Sequence, residues 1–155
     1  MPRMPVSGSI MITTTQRRLR VPAAQVRRLV RLVARAQRRR IDQVDVLVVG
    51  RRRMAALNAA HLHRGVTDVI SFDLGGGPSG GLCAQIVVCA DIAIAEARRR
   101  GHPAWKELLL YITHGLLHAM GYDDADEPAA RRMHRREDAL LKRLGVGEVY
   151  GRAPR

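Results

Sequence analysis

Aromatic side chains are nearly missing from this chain: one Phe, one Trp and three Tyr in 155 residues. A core must then be built from Val, Leu, Ile, Ala and Met, and no broad aromatic platform is available for stacking successive bases. Cysteine is also scarce. Cys83 and Cys89 lie six residues apart in what reads as one strand, which sets their Cα atoms about 20 Å apart. A disulfide spans less than about 7 Å, so both read as reduced, buried thiols of a cytoplasmic protein, and their spacing makes no zinc knuckle. No stretch approaches the roughly 20 uninterrupted apolar residues of a membrane span. The opening "MPRMPVSGSIMITTTQRR" has no apolar region followed by a small-residue cleavage site, so it does not read as a secretory signal.

Acidic residues are in short supply. Asp and Glu total 14 against 27 Lys and Arg, a formal net charge of +13, and nearly all the cations are Arg. The planar guanidinium suits phosphate oxygens, so a polyanion is the expected partner, with nucleic acid favoured over a merely solvated basic surface. The hydrophobic share of 46% predicts a globular fold rather than disorder. The length fits one domain over residues 1–155, with 1–8 and 146–155 as flexible ends.

Four segments read as strands: Ser9 to Thr15, Val44 to Gly50, Thr67 to Leu74 and Leu82 to Ala90. The glycine-rich stretch Gly75 to Gly81 reads as a flexible loop. Pro22 to Arg40 places Val26, Leu29, Val30, Leu32 and Val33 at helical spacing, with Arg27, Arg28, Arg31 and Arg35 on a basic outer face. Arg51 to Ala60 predicts a short helix. Asp91 is expected to cap a helix that stops at Gly101, and Pro103 to Gly121 predicts a long apolar helix. A last amphipathic helix ends near Gly145. Four strands mixed with helices fit a single α+β or α/β domain.

The informative stretch is "THGLLHAMGYDD", Thr113 to Asp124. His114 and His118 are i and i+4, so they share a helix face and can grip one metal ion. Gly121 can end the helix in the left-handed region and turn Asp123 and Asp124 back toward the imidazoles. The spacing H-x3-H-x2-G-x2-D offers three ligands and leaves one position open, as catalytic zinc sites do. Residue 115 is Gly, where a zinc peptidase of the HExxH type carries its Glu base, which counts against peptide hydrolysis. Glu107, two turns before His114, reads as a solvated charge.

"HGLLHAMGYDD", preceded by "LNAAHLHRGVTDVISFDL", resembles the YbeY family of bacterial metal-dependent endoribonucleases, and the resemblance covers most of the chain. It implies a small α+β fold with a central mixed sheet and zinc held by three histidines. It implies a cytoplasmic enzyme acting on single-stranded RNA in 3′-end maturation of small-subunit ribosomal RNA and in ribosome quality control, with rRNA and the small ribosomal subunit as partners. His114 and His118 match the first two family ligands; the third falls on Asp124. Two imidazoles and a carboxylate leave a divalent site at about +1 instead of +2, a weaker Lewis acid. The oxygen ligand also admits manganese or iron beside zinc. Asp123 matches the family Asp and is expected as a backup ligand or as a support for a histidine.

The family's Arg after the Leu-Asn pair is Leu62 here, and Arg64 is expected to take over in steadying developing negative charge. Gln85 stands where the family has Asp. Asn58, Thr67, Asp68 and Ser71 match the pattern and read as residues that brace the sheet. These departures keep a second reading open, an RNA-binding assembly factor of the ribosome with weakened catalysis. The Arg excess generates the first prediction. Affinity for single-stranded RNA should fall steeply between about 50 and 200 mM salt, because binding releases counterions. A flat salt response in a titration would make the excess compositional.

Overall fold

The computed structural model describes residues 8–60, 65–147 and 149. Nine elements follow in the order β1 (Ser9–Thr14), α1 (Ala23–Ala36), β2 (Ile41–Val49), α2 (Arg51–Ala60), β3 (Val69–Gly76), β4 (Leu82–Cys89), α3 (Ala90–Arg100), α4 (Ala104–Ala119) and α5 (Glu127–Leu144). The strands form one mixed sheet in the order β1-β2-β4-β3. β1 and β4 run parallel to β2, and β3 runs antiparallel to β4. This is a single α+β domain, one of the two classes that the strand and helix order left open and the one that the family resemblance implied.

Strand alternation sorts the side chains between two faces. Val44, Val46 and Val48 stand in register with Ala84, Ile86 and Val88. All six are buried in the main core with α1, α4 and α5. The opposite face holds a smaller cluster in which Val49, Val87 and Cys89 pack with Met54 of α2. Cys83 and Cys89 are both free thiols, Cys89 buried and Cys83 only half-buried. Val149 is buried in the main core; its N–H donates to Asp138 and its carbonyl accepts from Arg100.

Several expectations need correction. The first helix stops at Ala36 rather than near Arg40, because Arg38 turns into the left-handed region at φ 55° to bring the chain into β2. The glycine-rich segment is anchored. β3 runs on through Gly76, the Asp42 carboxylate accepts from the N–H groups of Ser79 and Gly81, and Arg40 donates to the Ser79 carbonyl. The hydrogen bond from the Ser79 hydroxyl is the main reason that the Asp42 carboxyl is held below its ordinary pKa. Asp91 does not cap its own helix. Its carboxylate reaches back to accept from the Arg51 N–H, the first residue of α2, at 2.7 Å and pairs with Arg18.

The long apolar helix α4 is central. Leu108, Leu109, Ile112, Leu116 and Leu117 are fully buried, so it lacks the polar face of a surface helix. It packs on β3 and β4 and against α1, α3 and α5. Gly115 permits the closest approach: a Cβ there would lie 2.8 Å from Ile86 Cγ2 and 3.0 Å from Val69 Cγ2. The Ser71 hydroxyl of β3 donates to the Gly115 carbonyl at 2.6 Å and ties sheet to helix. Glu107 is not a solvated charge. It is 0% exposed, with Oε1 2.7 Å from His102 Nε2 and 3.5 Å from Arg100 Nε, because the end of α3 and the α3–α4 connection fold these two side chains over it. Burial, then the neighbouring Glu107, raises the pKa of Tyr111 one turn on.

The Asp91 contact sets the second prediction. Removing a side chain that satisfies a helix N-terminus costs about 1 kcal/mol, so Asp91→Ala should lower the unfolding free energy by that order. The Arg51 N–H bond, backed by Arg18 and opposed by partial burial, depresses the Asp91 pKa. Its stabilisation is therefore complete above the unfolded-state value of about 4 and is lost as pH falls through the lower folded-state value. Denaturant melts of wild type and Asp91→Ala should differ at neutral pH and converge in strong acid.

Candidate metal centre

The site grows from the end of α4. Met120 closes the helix and Gly121 follows at φ 101°. The Gly121 N–H donates to His118 O, and the Tyr122 N–H donates to Leu117 O. That paired closure reverses the chain within two residues. Asp124 is carried back over the helix face that bears His114 and His118.

One donor atom from each of His114, His118 and Asp124 lies within 4.8 Å of the others. The two Nε2 atoms are 3.1 Å apart. Asp124 Oδ2 is 3.6 Å from His114 Nε2, and Oδ1 is 3.4 Å from His118 Nε2. Donors bound at about 2.0–2.1 Å to one tetrahedral ion stand about 3.3–3.4 Å from each other. The nitrogen pair, and the nearer carboxylate oxygen on each side, stand close to that length, so the three side chains converge on a space the size of one first-row ion, which Asp124 faces with both oxygens. Two imidazoles and a carboxylate suit zinc, and manganese or iron as well. His118 also lines a cleft of about 780 Å³ running along Asn58, Thr67, Ser71 and Asp73.

The other nitrogen of His114 is fixed by a residue that the sequence reading did not single out. His114 Nδ1 lies 2.5 Å from Glu137 Oε1 on α5, and Glu137 is 1% exposed. The second Glu137 oxygen is 3.2 Å from His134 Nδ1. A proton on His114 Nδ1 donates to Glu137 and leaves the Nε2 lone pair free for a cation. Burial works against charging His114, but the hydrogen bond and charge of Glu137, with Asp124 and Asp68 nearby, outweigh it and raise the pKa. Glu137 thus makes the ring a better electron donor at Nε2. The available signal was a carboxylate between Met133 and Leu140, in the apolar stripe of α5, where an unpaired charge is costly.

The other residues singled out in the sequence fall in different places. Asp123 is not in the donor triangle; its Oδ1 accepts from the Ala125 N–H at 2.7 Å. Arg28, Arg31 and Arg35 are exposed on α1, whereas Arg27 is half-buried and donates to the Ile10 carbonyl of β1 at 2.6 Å. Arg64 and Leu62 lie outside the described residues. Asn58 donates to the Gly65 carbonyl at 3.0 Å, and Asp68 Oδ1 accepts from the Val69 N–H. Gln85 sits half-buried on β4 opposite Phe72. Gly115 lacks room for any side chain, so the Glu of a zinc peptidase could not stand there without moving α4 off the sheet.

Protein prepared without chelators should bind close to one divalent ion per chain. His114→Ala, His118→Ala and Asp124→Ala should each lose most of that affinity, and Asp123→Ala should lose much less. Glu137→Gln keeps the shape but removes the charge, and losses from such supporting partners run about 10- to 100-fold. Calorimetric titration with zinc reads all five variants. Equal affinity throughout would reject the ligand assignment.

A family model described as Endoribonuclease YbeY matches residues 11–145. Proteins named Endoribonuclease YbeY include one from Micrococcus luteus, 34% identical over 143 residues, covering 86% of this chain and 88% of that protein. The Thermobifida fusca protein is 35% identical over 133 residues, covering 78% and 86%. The protein from Anaeromyxobacter sp. is 40% identical over 106 residues, 67% of this chain, and the match spans only 55% of that relative's length. The fold is similar to the solution structure of a Thermotoga maritima protein, with TM-score 0.60, 23% identity, and 88% and 89% of the two chains covered. A family model spanning most of the chain, joined to relatives over 30% identical along most of its length, places this chain in the Endoribonuclease YbeY family.

Proposed function

We propose that this chain is a metal-dependent endoribonuclease that cuts single-stranded RNA, and that its substrate is the 3′ region of small-subunit ribosomal RNA in the cytoplasm. The observation that carries the reading is the donor triangle of His114, His118 and Asp124 beside a polar cleft, with His114 oriented by a buried carboxylate. No helix among the described residues is long and apolar enough to cross a membrane. The net charge of +13 suits an RNA backbone. The ribosomal target rests on the family resemblance of the sequence.

A bound divalent ion, zinc in this reading with manganese or iron as alternatives, supplies Lewis acidity at the scissile phosphate. The protein's own part is positional. Ser71 holds α4 to the sheet, so His118 stands at the cleft with His114 one turn before it on the helix. Glu137 keeps the His114 ring from rotating and keeps its proton at Nδ1. Asp124, 39% exposed at its side chain, leaves the centre accessible to a long polymer. Arg28, Arg31 and Arg35 draw the strand in through long-range attraction, and Arg64 is the proposed group that steadies charge developing on the phosphoryl oxygens.

Cleavage of a labelled single-stranded RNA should require added metal and fall at least 100-fold in His114→Ala, while a duplex of the same sequence should be spared. Asp124→His replaces a carboxylate by an imidazole and raises the site's charge by about one unit, so its pH–rate curve should move to lower pH. RNA that stays intact with every metal tried would leave a binding protein in place of an enzyme.

A further inference from the structure

The turn that delivers Asp124 has a second side. There, the turn from Gly121 to Asp126 faces α5, from Ala129 to Ala139, across a cleft of about 590 Å³. Arg132, Arg135 and Arg136 line it at i, i+3 and i+4 of α5, with Tyr122, Asp123 and Asp126 from the turn. Among the described residues, none of these three arginines pairs with a carboxylate, whereas Arg131, on a neighbouring face, pairs with Glu127 at 2.9 Å. The two aspartates in the cleft are engaged otherwise: Asp123 accepts from the Ala125 N–H, and Asp126 accepts from the Ala129 N–H as the N-cap of α5.

Arg136 is the most constrained of the three. Its Nη2 makes one long bond to the Ala36 carbonyl at 3.4 Å, and its Nε is buried with no hydrogen-bond partner among the described residues. Arg132 and Arg135 are exposed beside it. Unpaired guanidinium groups on one helix face, one held by packing, form a site for oxygen anions that need several donors. Tyr122 adds an aromatic ring in a chain with few, and Gln37 holds its hydroxyl at 3.4 Å. A phosphate flanked by a base meets both kinds of group.

We propose that this cleft is a second RNA subsite, which takes a phosphodiester of the strand on the α5 side of the metal centre and stacks an adjacent base on Tyr122. The cleft and the centre share one turn: Asp123 lines the former, and the next residue, Asp124, is a donor of the latter. A strand that crosses this turn can therefore meet both. The inference rests on the endoribonuclease reading and adds to it the path of the strand.

The test is binding of a fluorescent, single-stranded 2′-O-methyl RNA of about twelve nucleotides to the metal-loaded chain over a range of salt. Arg132→Gln with Arg135→Gln avoids the packed Arg136. This double variant should weaken binding about tenfold and lower the salt slope by about 0.7 for each lost contact, with metal content unchanged. Arg52→Gln with Arg53→Gln removes the same charge from the exposed start of α2 and should do much less. Equal losses in the two double variants would make the effect general electrostatics and overturn the subsite. So would wild-type affinity in the α5 variant, or loss of its metal. Wild-type protein that fails to bind RNA at any salt would instead overturn the endoribonuclease reading itself.

Discussion

The approach of α4 to the sheet at Gly115 sets the position of everything at the site. Contact with Ile86 and Val69 leaves no room for a Cβ, and the Ser71 hydroxyl takes the Gly115 carbonyl. These contacts fix the height and rotation of the helix together. With Leu116 and Leu117 committed to the core, His114 and His118 share the face left over, and His118 borders the cleft. A helix with a looser seat would let the imidazoles wander by more than a metal–ligand bond tolerates.

Two carboxylates complete the arrangement from outside the helix. Asp124 comes from the turn, exposed and adjustable; Glu137 comes from α5, buried and fixed. The exposed one contributes a donor atom. The buried one decides which nitrogen of His114 is available and bridges to His134. An Asp in place of a third imidazole makes the centre less positive, and Glu137 adds further negative charge behind it. This site should be a milder Lewis acid than one built of three histidines, and more tolerant in its choice of metal.

Much of this was legible in the chain. The apolar run and its glycine stop gave α4 and the turn, because helix periodicity and left-handed glycine are local properties. His114, His118 and Asp124 followed, since all three lie within eleven residues. Glu137 was not legible by spacing: it is 23 residues from His114 on another helix. Two of the misreadings share that cause. Asp91 sits where a cap for α3 would be sought, but serves the start of α2, which precedes it by 40 residues. Glu107 reads as a surface charge until Arg100 and His102 close over it. Long-range pairing is where single-residue propensities stop informing.

The central claim is a metal held by two imidazoles and one carboxylate. X-ray absorption at the edge of the bound metal, on wild type and Asp124→His, tests it most directly. The account predicts two histidines with an oxygen-rich remainder in the wild type, and a third imidazole in the variant. A wild-type spectrum that already shows three imidazoles, or one that Asp124→His leaves unchanged, would contradict it.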